Sequence, residues 1–219
     1  MTNKKLSKDS FERDCNINSL SKKQNNDFNN SSSLEHDFYC KIISKIQSLV
    51  EISQIRPIGY IVELGSNEQA SYHLHKARDS IESIAYQAYW STEFTNPDYT
   101  ATPDKPKPDY TNQCGYLILN SLHNDQQNPP SLGELVKSSK VIEKQIQQDF
   151  YQAEKINQLE INEIIQNLAQ PKNRVVIIDI DILAIVTDSN ELIAIKERYP
   201  LKHHEWVGLI ELHENNWLL

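Results

Sequence analysis

The stretch Arg174-Val175-Val176-Ile177-Ile178-Asp179-Ile180-Asp181-Ile182-Leu183 decides how this chain folds. It is dense in β-branched residues and too short and interrupted to cross a bilayer, so it reads as a buried strand. Strand side chains alternate faces, which puts Asp179 and Asp181 on one face and Ile178, Ile180 and Ile182 on the other. Two neighbouring carboxylates, buried and unpaired, repel each other, and at least one takes up a proton unless a cation sits between them. Hard ions such as magnesium accept such a pair together with phosphate oxygens and water. The alternative is an antiparallel strand with one wet face, on which both aspartates simply point into solvent.

Working outward, Asp188-Ser189-Asn190 turns the chain back into Leu192-Ile193-Ala194-Ile195 as a hairpin partner, and Trp206 to Leu219 reads as a further short strand. Upstream, residues 147–171 carry apolar residues at approximate helical spacing and read as a helical insertion. Before it, Ser131 with Glu134 opens a capped helix bearing Leu132, Leu135, Val136, Ile142 and Ile146. Tyr110 to Leu122 and Tyr86 to Phe94 read as strands, separated by a loop from Asn96 to Pro108 that holds four prolines. Ala70, Leu74, Ala77, Ile81 and Ile84 lie on one helical stripe. Ile58 to Leu64 is a strand stopped by Gly65-Ser66-Asn67, whose Gly and Asn suit a sharp turn. The order strand, helix, strand, strand, helix, strand predicts an α+β domain with a ferredoxin-like βαββαβ antiparallel sheet and helices packed on it.

The chain has 219 residues, which suggests one domain with an appendage, and its 38% hydrophobic content is low for a fully compact chain. Residues 1–31, rich in Asn, Ser, Lys and Asp, are expected to be a disordered tail. Residues 32–54 are expected to form an additional helix, capped by Ser32 and Glu35 and carrying Phe38, Ile42, Ile46, Leu49 and Val50, and residues 55–219 form the domain itself. A net charge of −8 argues against nucleic acid and anionic membranes as general partners. Cys15, Cys40 and Cys114 show neither metal-ligand spacing nor a disulfide framework. With a charged N-terminus and no long apolar run, the expectation is a cytoplasmic protein.

Four short motifs carry a resemblance. They are Tyr60-Ile61-Val62-Glu63-Leu64-Gly65-Ser66-Asn67, Pro108-Asp109-Tyr110-Thr111-Asn112, Ile142-Glu143 in the second helix, and Asp179-Ile180-Asp181-Ile182-Leu183. In this order and on these elements, the chain from Tyr60 to about Leu212 resembles the 6-hydroxymethyl-7,8-dihydropterin pyrophosphokinase family of folate biosynthesis. The resemblance implies ATP as co-substrate, transfer of its terminal pyrophosphoryl group to the pterin hydroxymethyl oxygen, and release of AMP. It implies that Asp179 and Asp181 hold two magnesium ions bridging the ATP phosphates. Tyr110 and Asn112 would belong to the pterin pocket, with Trp206 beside them, and Lys140, Glu143 and Lys202 would face the nucleotide. For Glu143 an exposed helical charge pair is the competing reading. A monomer is expected.

The sequence also departs from the family's pattern. Val176 stands where the family has an Arg, and Arg174 lies two residues further back, on the same strand face about 7 Å away, as a substitute catalytic cation. Gln147-Gln148-Asp149-Phe150 replaces expected arginines, and Leu201 and Val207 replace a His and an Arg directed to ATP. Lys172, Lys202, His203, His204 and Trp206 are nearby substitutes. The expectation is therefore a slow pyrophosphokinase, or else a catalytically impaired nucleotide- or pterin-binding regulatory module.

Overall fold

The computed structural model describes residues 42–98, 101–102, 104, 106–119, 129–161 and 175–218. The elements are β1 (Lys45–Gln47), α1 (Leu49–Ile52), β2 (Gly59–Ser66), α2 (Ala70–Glu82), β3 (Gln87–Trp90), β4 (Phe94–Asn96), β5 (Tyr110–Ile118), α3 (Leu132–Ile161), β6 (Asp179–Val186), β7 (Leu192–Ile195) and α4 (His203–Glu214). The sheet runs β1-β7-β6-β2-β5-β3, with β4 also paired to β5. The fold is α+β. β2 lies between β5 and β6 and is antiparallel to both.

All eight β2 residues are buried because both faces of the sheet are covered. On one side Tyr60, Val62, Leu64, Leu117, Ile180 and Ile182 share a core with Leu74, Ala77 and Ile81 of α2 and Leu135 and Ile146 of α3. On the other, Ile61, Cys114, Tyr116 and Leu183 share a core with Trp206, Leu209 and Leu212 of α4. The parity of β2 thus assigns its odd-numbered residues, Glu63 included, to the α4 side.

Several elements differ from the sequence reading. The C-terminal segment is helix α4 rather than a strand, because Glu205, Gly208, Leu209 and Leu212 recur at the spacing of one helical stripe, and all four are buried. Within 42–54 the chain forms β1 and the short α1 rather than one long helix. β1 pairs in parallel with β7, its flanks tied by Ser44 N–H to Leu192 O at 2.8 Å and Lys196 N–H to Gln47 O at 2.8 Å. A helix there would have left the β7 edge unpaired. The cap observed is Ser48 with Glu51, while Ser32, Glu35 and the expected tail lie outside the described residues.

β2 runs through Gly65 to Ser66, and the positive-φ turn residue is Gln69. The decisive stretch enters its strand only at Asp179. Just before it, Val176 is held by Asn67 through one backbone and one side-chain bond, Asn67 N–H to Val176 O at 3.0 Å and Val176 N–H to Asn67 Oδ1 at 2.6 Å. The expected Tyr86–Phe94 strand is two short strands, β3 and β4, both on β5. α3 continues past residue 147 to Ile161, so the start of the expected insertion is an extension of the capped helix. Its Ser131–Glu134 capping box forms as expected, and so does the β6–β7 hairpin, with Asn190 in the left-handed region at φ 59°.

Candidate functional site

The register across β5, β2 and β6 sets out two rows on the α4 side of the sheet. Asn112, Gly65 and Asp179 are opposite one another in the first, and Cys114, Glu63 and Asp181 in the second. Gly65 has no side chain, so the first row has a floor between Asn112 and Asp179. A Cβ there would meet Asn112 Oδ1 at 2.9 Å. Above the floor lies a cleft of about 390 Å³ bordered by Glu63, Asn96, Pro97, Tyr110, Asn112, Asp179, Asp181, Lys202 and His204.

Asp179 and Asp181 share the cleft face, as their spacing predicts, and their side chains are 54% and 24% exposed. Neither stands alone. Lys140 Nζ is 3.6 Å from Asp179 Oδ1, and the Arg198 guanidinium donates to Asp181. Lys140 also donates to Glu143 at 2.6 Å. Burial alone would depress the Lys140 ammonium, but the hydrogen bond to Glu143 and the carboxylates of Glu143, Asp179 and Asp181 hold its pKa above the ordinary value.

Glu143 is buried rather than a solvated helical charge. Its Oε1 accepts the backbone N–H of Ile180 at 2.8 Å. On that side of β6 the partner strand β7 reaches only Ala184 to Val186, so a carboxylate from α3 satisfies a donor at the unpaired part of the edge. Glu143 thereby sets the position of the residue between the two aspartates.

Tyr110 and Asn112 lie on the cleft wall opposite the aspartates. Asn112 is buried and its Nδ2 donates to Asn96 Oδ1, which fixes the amide orientation and turns its Oδ1 towards Gly65. Lys202, the residue before α4, is exposed at the rim, and its Nζ is 3.7 Å from Glu205 Oε1. Trp206 does not line this cleft. It is buried in the second core with Cys114 and Leu209, which corrects its expected place against the pterin. Arg174 and Lys172 lie outside the described residues.

Arg198, Glu205 and Glu63, at or beside the cleft, escaped the sequence reading as site residues, and His204, a substitute named there, lies among them. Arg198 bridges Asp181 to Glu205, 3.5 Å from Glu205 Oε1. Glu63, beside Asp181 on β2, is buried with its Oε1 3.2 Å from His204 Nε2. Burial and the nearby Glu205 and Asp181 carboxylates push the Glu63 acid up to about 9. Burial, with Lys202, His203 and Arg198 adding to it, brings the His204 imidazole down to about 4. Both shifts favour the neutral forms, so the 3.2 Å approach of Glu63 Oε1 to His204 Nε2 is not a strong ion pair.

The arrangement offers two oxygen-donor carboxylates at a cleft mouth, three cations around them, and an aromatic-amide wall across the floor. Asp179 and Asp181 fit a hard divalent ion by donor type and shared direction, and Lys140, Arg198 and Lys202 fit anionic phosphate. Compared with known protein families and with curated proteins, the chain matches none. Among the described residues no helix is long and apolar enough to cross a membrane.

Proposed function

We propose that the protein is a magnesium-dependent pyrophosphokinase that moves the terminal pyrophosphoryl group of ATP to 6-hydroxymethyl-7,8-dihydropterin, releasing AMP, in the cytoplasm and as a monomer. One observation carries the reading: the Asp179–Asp181 pair and the Tyr110–Asn112 pair border the same cleft, with Gly65 leaving space between them. The strand order β6-β2-β5-β3, joined through α2 and α3, supports a ferredoxin-like frame under that cleft.

In this reading the flat pterin lies against Tyr110, and the Asn112 amide addresses its polar edge. The hydroxymethyl oxygen bonds to the β-phosphorus of ATP. The bond from that phosphorus to the oxygen bridging the α-phosphate breaks, AMP leaves with the electron pair, and the hydroxyl proton passes to solvent. Magnesium held by Asp179 and Asp181 would supply neutralisation of phosphate charge. Lys140 and Lys202 would face the phosphates as point charges, and Arg198, beside Asp181, would offer them a planar fork. Alignment and charge neutralisation are most of what a protein contributes to such a transfer.

A second reading has a specific observation in its favour. Asp179 and Asp181 are already paired with Lys140 and Arg198, which suits a binding module that needs no metal. Incubation with ATP, magnesium and the pterin separates the two. AMP formed in step with pyrophosphorylated pterin supports the kinase. No AMP, with nucleotide or pterin binding in a calorimeter, supports the module, and binding of neither removes both.

A further inference from the structure

We propose that Glu63, His204 and Glu205 form a second cation site, built for a first-row divalent transition ion of the zinc–manganese type and set deeper than the Asp179–Asp181 pair. One ligand atom from each residue lies within 4.8 Å of the other two. Ligands on one tetrahedral ion with bonds of about 2.0–2.2 Å are roughly 3.3–3.6 Å apart, so the three side chains would draw in by the order of 1 Å to close on it. All three residues are buried, Glu205 with only 1% of its surface exposed.

The independent sign of a missing ligand comes from the two carboxylates. Glu63 Oε1 and Glu205 Oε1 are buried without a hydrogen-bond partner among the described residues. Glu63 Oε1 has only the 3.2 Å contact to His204 Nε2, and Glu205 Oε1 only the long contacts to Arg198 at 3.5 Å and Lys202 at 3.7 Å. Buried carboxylate oxygens are ordinarily satisfied, and a cation between them would satisfy both at once.

The donor set chooses the class of ion. Magnesium and calcium prefer all-oxygen sites, whereas one imidazole with two carboxylates suits zinc, manganese or iron. Two cations stand close by. Arg198, which also pairs with Asp181, and Lys202, more than half exposed, stand 3.5 and 3.7 Å from Glu205 Oε1. Glu63 and His204 border the cleft, which gives the ion an entry path. Glu63 comes from β2, while His204 and Glu205 come from the first turn of α4. The bound ion would therefore pin the start of α4 to the sheet and hold Lys202 at the cleft mouth.

This site stands apart from the pyrophosphokinase reading, and its test uses neither ATP nor pterin. The full chain, stripped of metal with a chelator, is given excess magnesium and then one equivalent of manganese, and pulsed electron paramagnetic resonance reads nitrogen coupled to the manganese. The expected result is imidazole coupling in the unaltered protein, retained in Asp179→Asn and lost in His204→Gln. Calorimetry with zinc is expected to give one site, weakened at least about tenfold in Glu205→Gln. Absence of nitrogen coupling in the unaltered protein overturns the proposal, and that measurement needs no variant to fold. Coupling that survives His204→Gln, or that vanishes in Asp179→Asn, places the ion elsewhere and overturns it as well.

Discussion

Replacing Gly208 by alanine tests the seating of α4, the helix that brings His204 and Glu205 to the cleft. A Cβ at position 208 would lie 2.5 Å from Cys114 Sγ, 2.6 Å from Cys114 Cβ and 3.2 Å from Ser91 Oγ. Ordinary contact between carbons is about 3.5–4.0 Å, so helix and strand must part by the order of 1 Å. Cys114 cannot yield alone, since its Cβ is fixed to the β5 backbone. With contacts at 2.5 and 2.6 Å, overpacking here belongs in the upper part of the usual range, about 2–3 kcal/mol. Alanine returns about 1 kcal/mol of helix propensity, leaving a net destabilisation of about 1–2 kcal/mol. With a urea slope of about 2 kcal/mol/M, the unfolding midpoint falls by roughly 0.5–1 M. Adding Cys114→Ala removes the Sγ contact but not the Cβ contact, so the double variant regains part of the loss and the two changes are non-additive. A Gly208→Ala protein as stable as the parent, or one whose loss simply adds to that of Cys114→Ala, would refute the close packing of α4 on β5.

Three further outcomes follow from the site. Asp181→Asn is expected to lower AMP release by about 10²–10³-fold, the scale of losing one preorganised charge contact in a transfer reaction; an unchanged rate in a quenched-flow or chromatographic AMP assay removes Asp181 from the ion-binding pair. In metal-free protein the thermal midpoint should fall as pH rises from 6.5 to about 9, because Glu63, raised from 4.5 to about 9, keeps its proton in the folded chain and loses it in the unfolded one. His204, lowered from 6.5 to about 4, gives stability that is present above 6.5 and lost as pH falls towards 4, so it leaves the alkaline slope to Glu63. Glu63→Gln should flatten that slope, and parallel curves for the two proteins would contradict it. Cys114, fully buried with its thiol pushed well above the ordinary value by burial, should resist a thiol reagent in a Cys15→Ser/Cys40→Ser protein until urea unfolds it; labelling at the native rate of a free thiol would show that the α4–β5 seam opens.

The parts legible in the sequence are those whose cause is local. The α2 stripe, the Ser131–Glu134 cap, the Asp188–Asn190 hairpin and the shared face of Asp179 and Asp181 each follow from spacing within a few residues. The misread parts have distant causes. Ile42, Ile46, Leu49 and Val50 have helical spacing, yet Val50 is 76% exposed, because the segment answers to a β7 edge about 150 residues later in the chain. In α4 the helical stripe was hidden by its own composition, since two of its four inward positions are Glu205 and Gly208. The glutamate is buried for the site, and the glycine for close approach to Cys114.

The same distinction explains the cleft. Gly65 reads as a turn residue when only its neighbours are considered, but it lies inside β2, where its missing side chain opens the floor between Asn112 and Asp179. What matters there is volume across three strands, which a single strand's sequence does not display. Arg198 lies past the end of β7, in the turn at 196–198 that leads towards α4, so the β6–β7 pairing, which stops at Ala184 and Ala194, does not reach it. Its arrival at Asp181 depends on the path of that turn, which strand spacing does not display, whereas Arg174 is a neighbour of the aspartates only along the chain.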